Sequence, residues 1–168
     1  MGARPGDLDP GLVIYLLRQQ KGDKKEVISA IEKMFDGQAG MVAVSGLSND
    51  MKAIRKAAVQ GDANALLALQ IFTRSITKAI GGFCWLMGGL DCIVFTGGIG
   101  EHDSLTRAEV VADLQSLGVS LDVSLNEAKQ SGVRRVSASE SKVAVHVIPA
   151  EEDLIIAQHV DHLTMDTH

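Results

Sequence analysis

An apolar run that stops in three glycines, Asp91-Cys92-Ile93-Val94-Phe95-Thr96-Gly97-Gly98-Ile99-Gly100-Glu101, constrains this chain more than any other segment. β-Type residues before the glycines and a helical pattern after them predict a buried strand that turns into a helix. Folds of this kind bring bare backbone against a nucleotide at the carboxyl end of the strand. Glycine removes the Cβ that would hold a ligand away and accepts backbone angles that other residues avoid. Two readings stand. The amides of 97–101 form a seat for adenosine or phosphate, or the glycines merely make a tight connection that needs positive φ. The spacing matches neither the Walker nor the Rossmann pattern. Glu101 either fixes the turn by hydrogen bonding or is an ordinary first-turn helix acid.

The rest of the chain reads as α/β and helix-heavy. Asp9 and Pro10 predict a helix start, with Leu12, Val13, Leu16 and Leu17 on one face and an end near Gly22. A second amphipathic helix fits 24–35, with Val27, Ile28, Ile31, Met34 and Phe35 inward. The short apolar run at 40–45 predicts a strand or a buried turn. Helices follow over 51–59 and 62–87, the latter with Leu66, Leu67, Leu69, Ile71, Phe72, Ile76, Ile80 and Phe83 as its apolar positions. After the strand at 92–96 come a helix over 104–117, an extended piece at 119–121 and one or two helical turns at 125–129. Two further strand-like runs, 135–138 and 143–148, flank a turn at Ser139-Glu140-Ser141, and a last helix runs to about 163. Three or four short strands make a thin sheet for so many helices. That imbalance, and an opening loop rich in special residues, predict a fragment or split subunit, read here as a single domain over 1–168.

Bulk properties exclude several classes. A net charge of -5 and a pI near 5.5 leave no basic surface for nucleic acid. The longest apolar stretch, 81–90, contains four glycines and is too short to span a bilayer. Cys84 and Cys92 lie in apolar runs without metal-ligand spacing, which predicts buried free thiols in a reducing cytoplasm. The five histidines assemble into no nucleophile–base order, and His102 is the one placed to touch a ligand.

Three other places carry possible chemistry. Arg4, on a glycine- and proline-flanked loop, suits clamping of a carboxylate or phosphate, or is a plain surface arginine. Glu151-Glu152-Asp153 after Pro149 is helix capping, or offers one carboxylate to magnesium, usually through water. Ser48-Asn49-Asp50 caps a helix, or Asp50 accepts hydrogen bonds from a ribose.

The order of these places is informative. Gly2-Ala3-Arg4-Pro5-Gly6-Asp7-Leu8-Asp9-Pro10, Ser45-Gly46-Leu47-Ser48-Asn49-Asp50-Met51-Lys52, Val94-Phe95-Thr96-Gly97-Gly98-Ile99-Gly100-Glu101-His102 and Ile148-Pro149-Ala150-Glu151-Glu152-Asp153-Leu154 follow one another. That series resembles the carboxyl-terminal portion of the acetokinase (acetate and propionate kinase) family, from Gly2 to about 163. The resemblance implies an actin-like, sugar-kinase-like (ribonuclease H-like) ATPase fold, here most of the second domain with a short incomplete sheet. It implies reversible, magnesium-dependent transfer of the ATP γ-phosphoryl to acetate, giving acetyl phosphate and ADP in the cytoplasm. By position, Arg4 resembles the family's catalytic arginine and Glu152 its metal-associated glutamate. Asp50, Met51 and Lys52 resemble one adenosine-contacting segment, and Gly98, Ile99, Gly100, Glu101 and His102 the second. A homodimer through this domain is implied too, as is an amino-terminal half that completes the site. Without that half, this chain alone is expected to be inactive. A non-catalytic nucleotide-binding or dimerisation module and a propionate-preferring kinase are the alternatives. The sequence departs from the family pattern at Ala3, Pro5, Lys52, His102 and Glu151.

Overall fold

A computed structural model describes residues 1–165, with the backbone alone at 152, 158 and 162–165. The chain divides into two compact units, Met1–Ile76 and Thr77–His168.

In the first unit, carboxylate caps set the helix starts. Asp9 accepts from the Gly11 amide and begins α1 (Pro10–Gln19). Asp23 accepts from the Lys25 and Glu26 amides, while Glu26 reaches back to the Asp23 amide, and this reciprocal box begins α2 (Lys24–Gly37). α1 packs against α2. Neither helix buries the face expected of it: α1 has no buried residue, and Ile31 is the buried one of α2.

The run expected as a strand or turn is a helix, α3 (Gly40–Ser45). Its first amides have backbone acceptors from the chain's opening loop. Ala39 N–H donates to Ala3, Met41 to Met1 and Val42 to Gly2, at 3.0–3.2 Å. The orphan donors of a helix start are thereby satisfied without a side-chain cap. Gly40 sits at φ 60, and a Cβ there would meet the Met1 and Arg4 carbonyl oxygens, so this position requires glycine. Six apolar residues carry too little periodicity to announce a helix held from outside its own sequence.

Next come α4 (Met51–Val59), which buries Met51 and Ile54, and α5 (Ala63–Met87), begun by Asp62. The buried stripe of α5 is Ala65, Ala68, Leu69 and Thr73, while Leu66, Leu67 and Phe83 are exposed. Of the expected apolar positions Leu69 is buried, and the rest of the buried stripe is made of small residues.

The second unit is built on a sheet of order β1-β3-β2. β1 (Cys92–Phe95) runs parallel to β3 (Ala144–Val147), with Ile93 opposite Val145 and Phe95 opposite Val147. β2 (Arg134–Arg135) is antiparallel to β3 and shorter than the run expected at 135–138, because Ser137 leaves to bridge Leu121. Alternation puts Ile93, Phe95, Val145 and Val147 on the buried face, with Val136, Val110, Val111 and Leu114 also in this unit's core. Cys92 falls on the opposite face of its strand and is exposed, and Cys84, in α5, is half-buried, so neither thiol is buried as expected.

The glycines after β1 form a helix at once, α6 (Gly97–His102). They were expected as a turn before a helix over 104–117. Asp103 instead starts a separate helix, α7 (Ser104–Ala112), by accepting from the Leu105 and Thr106 amides. A 3-10 turn, Gln115–Leu117, ends at Gly118 with φ 79. Completing the unit are α8 (Val123–Glu127) and α9 (Glu152–Met165). Among the described residues, no helix is long and apolar enough to cross a membrane.

Candidate functional site

Parallel pairing brings the carboxyl ends of β1 and β3 side by side, with α6 leaving one and residues 148–151 leaving the other. The Ile148 amide donates to the Phe95 carbonyl at 2.9 Å and extends the ladder to this edge. Immediately beyond lies a cavity of about 410 Å³ lined by Gly97, Gly98, Glu101, His102, Pro149, Ala150, Glu151, Asp153 and Leu154. Ligands of open α/β sheets bind beyond the carboxyl ends of the strands, and this cavity has that position.

The three glycines of α6 differ in their surroundings. Gly97 turns the corner at φ 72. A Cβ on Gly100 would stand 3.3 Å from the Phe95 carbonyl carbon, so Gly100 lets the helix lie close to the strand end. Gly98 has ordinary φ, and a Cβ on it would meet nothing within 4 Å. Among the described residues, nothing requires glycine there. Of the expected nucleotide residues, Gly98, Glu101 and His102 line the cavity, while Ile99 and Gly100 are half-buried behind them.

Glu101 lies in the last turn of α6, not the first, and its carboxylate is committed. It accepts from the Ala150 amide at 3.0 Å, across 49 residues. His102 is exposed at the end of the helix. Glu151 adopts φ 44, the left-handed region that non-glycine residues rarely occupy. Glu152 opens α9, and its side chain lies outside the described residues. His162 and His168 do so as well.

Sequence reasoning missed the groups that anchor α6. Arg107 is 2% exposed. Its Nη1 donates to the Gly100 and Glu101 carbonyls at 2.8 and 3.0 Å, its Nε to Asn126 Oδ1 at 2.7 Å, and its Nη2 to the Asn126 carbonyl at 2.6 Å. Arg134 Nη2 also donates to the Glu101 carbonyl, at 3.2 Å. Two cations at the carbonyl end of a helix match its negative pole. Burial lowers the Arg107 pKa most, the Arg134 charge lowers it further, and Asp103 opposes both. No sequence signal marks Arg107, whose helical position reads as ordinary surface.

The other expected residues lie in the first unit. Arg4 is exposed, 3.5 Å from Asp36 Oδ1, an ion pair worth under ~1 kcal/mol in solvent. The backbone bonds of its neighbours to α3 fix the loop and leave the guanidinium outside. Asp50 caps α4 by accepting from the Lys52 amide at 3.0 Å, and Lys52 is exposed. Met51 is buried in the unit's core, 7% exposed.

Comparison with known proteins identifies the family. The profile of the Acetokinase family matches residues 1–158. An acetate kinase of Rhodopseudomonas palustris (strain TIE-1) is 42% identical over 160 residues, which is 95% of this chain and 38% of that protein. The crystal structure of Porphyromonas gingivalis acetate kinase superposes with a TM-score of 0.81 at 34% identity, covering 95% of this chain and 39% of the other. A propionate kinase from Francisella tularensis gives 0.79 at 31% identity, over 94% of this chain and 39% of the other. The fold is therefore the actin-like one of these enzymes, helix-rich with a small three-stranded sheet. The chain spans about two fifths of the length of the acetate kinases it matches.

Proposed function

We propose that this chain, which belongs to the acetokinase family, is the carboxyl-terminal portion of a magnesium-dependent kinase that moves the ATP γ-phosphoryl to acetate. The observation that carries this reading is the cavity beyond β1 and β3, where the glycine helix and the acidic turn share one wall. The first amides of α6 have no side-chain cap, and Gly98 leaves its backbone open, which suits contact with adenosine or phosphate. Asp50, Met51 and Lys52 are proposed as the second adenosine-facing segment, and Arg4 as the catalytic arginine.

In-line phosphoryl transfer needs positioning and charge neutralisation more than covalent help. Arg4 offers a planar fork on a loop pinned by backbone bonds, suited to holding three equatorial oxygens in place. Among the described residues no three His, Cys, Asp or Glu side chains form a metal cage. Exposed carboxylates at Glu151 and Asp153 suit an ion that keeps most of its water and takes its other oxygens from the nucleotide. By position Glu152 is the carboxylate proposed to hold magnesium, which, when bound, neutralises charge on the phosphates.

The test is a hydroxamate assay for acetyl phosphate, run on the 168-residue chain with and without the rest of a family enzyme, alongside calorimetry with ADP and magnesium. Turnover dependent on the added portion supports the reading. Turnover by the lone chain contradicts the need for an amino-terminal half. Silence in both assays contradicts the function itself. A second reading, a homodimerisation module of a cytoplasmic enzyme, is favoured by Phe83, Trp85, Leu86 and Met87, all exposed at the end of α5. Sedimentation of the chain decides it. Preference for propionate over acetate is decided by the same hydroxamate assay with both acids.

A further inference from the structure

We infer that Glu101 is a positioning residue, a strap that ties the acidic turn before α9 to the glycine helix, and not a contact to the nucleotide. This rests on the cavity being the nucleotide and metal site.

Three observations meet at this residue. First, its carboxylate oxygen Oε1 already holds the Ala150 amide, joining segments 49 residues apart. A hydrogen bond to an ionised carboxylate is among the stronger ones a backbone amide makes. Second, the base of the strap is fixed. The carbonyl of Glu101 itself accepts from Arg107 and Arg134, and that of Gly100 from Arg107, so the last turn of α6 cannot drift while those donors stay. Third, the segment being held is strained. Glu151 stands at φ 44, in the left-handed region that a residue with a Cβ rarely occupies. Its carbonyl accepts from the Leu154 amide at 3.1 Å and the Ile155 amide at 3.3 Å, so this conformation begins α9.

The consequence concerns placement. Ala150 is tied, Glu151 turns the chain left-handed, and the backbone of Glu152 enters the helix. Without the tie, Glu151 relaxes toward an ordinary φ and the start of α9 swings relative to α6. A metal-linked carboxylate tolerates only about 0.5 Å of misplacement. Metal use, not nucleotide contact, is therefore what Glu101 controls.

Amide hydrogen exchange on the 168-residue chain reads the strap directly, comparing wild type, Glu101→Gln and Glu101→Ala. In Glu101→Ala, the amides of residues 150–155, Ala150 first, exchange at least about tenfold faster, the scale of one lost charged hydrogen bond. Amides of the β1–β3 ladder, such as Ala144 and Ile148, stay within about twofold and exclude general unfolding. Glu101→Gln, which keeps a carbonyl acceptor, falls nearer wild type. Unchanged exchange over 150–155, or an equal rise across the ladder, overturns the strap.

A second measurement separates positioning from contact. Titrating ADP at several magnesium concentrations, Glu101→Ala is expected to need roughly threefold or more magnesium for half-maximal binding. Its ADP affinity at saturating magnesium is expected to stay within about twofold of wild type. A loss of ADP affinity that magnesium does not restore makes Glu101 a nucleotide contact and overturns the inference. If wild type binds no ADP even with the rest of a family enzyme added, the proposed function fails, and the exchange rates still decide the strap.

Discussion

Replacing Arg107 probes the foundation of the cavity wall, and the structure supplies the magnitude. The guanidinium donates four hydrogen bonds, to the carbonyls of Gly100, Glu101 and Asn126 and to Asn126 Oδ1. In Arg107→Ala, Glu101 keeps Arg134 as a donor and the Asn126 amide group keeps the Ser104 carbonyl, so three acceptors lose their partner. Each such loss costs about 1–3 kcal/mol where water cannot enter. Removing a buried cation gives part of this back, because its own desolvation was unfavourable. The net expectation is about 3–5 kcal/mol, a large share of the ~5–15 kcal/mol that holds a typical domain. Arg107→Lys keeps the charge but loses the fork, and roughly half the loss should remain. Urea unfolding followed by circular dichroism measures both, and hydrogen exchange should show α6 opening first. A loss under about 1 kcal/mol for alanine, or a lysine variant as stable as wild type, refutes the reasoning. Either result means the guanidinium organises nothing that water cannot replace.

Gly98→Ala separates stability from binding: helical φ and open space predict a chain as stable or up to ~1 kcal/mol more stable by urea unfolding, yet with weaker ADP binding by calorimetry. Equal ADP affinity counts against backbone contact there. Gly40→Ala should destabilise by about 3 kcal/mol or more, because its Cβ meets two backbone oxygens that cannot step aside. Gly46→Ala, at φ 68 in open space, should lose only about 1–2 kcal/mol, and equal losses would deny the contact of α3 with the opening loop. The Asp122 pKa is lowered chiefly by the Ser124 hydroxyl and then by the Leu125 amide, so its contribution to stability is present above the unfolded-state value and lost as pH falls through the folded one. Ser124→Ala should move the Asp122 titration, followed by carbon-detected NMR, upward toward the ordinary aspartate value, and an unmoved curve removes the hydroxyl as cause.

Local chemistry was legible in the sequence wherever the cause is local. Asp9, Asp50 and Asp62 cap helices because a short carboxylate reaches an amide two or three residues on, and the spelling shows it. The strand expected at 92–96 was legible for the same reason. What escaped was set at long range. Residues 40–45 are helical because carbonyls of Met1 and Gly2 serve their amides. Arg107 is buried because Asn126, 19 residues away, meets it. Glu101 was placed correctly at the glycine segment, but its actual partner, Ala150, stands in no sequence relation to it.

The parallel pairing of β1 with β3 also has a bearing on how the chain is made. β1 has no described neighbour on its other side, so its ladder waits for a strand about fifty residues further on. At ribosomal speeds of about 5–20 residues per second, that wait lasts several seconds. When these 168 residues are synthesised by themselves, no described strand covers Ile93, Val94 and Phe95 during that wait. Chaperone capture of nascent chains should therefore peak after residue 95 leaves the ribosome and fall once residue 147 does.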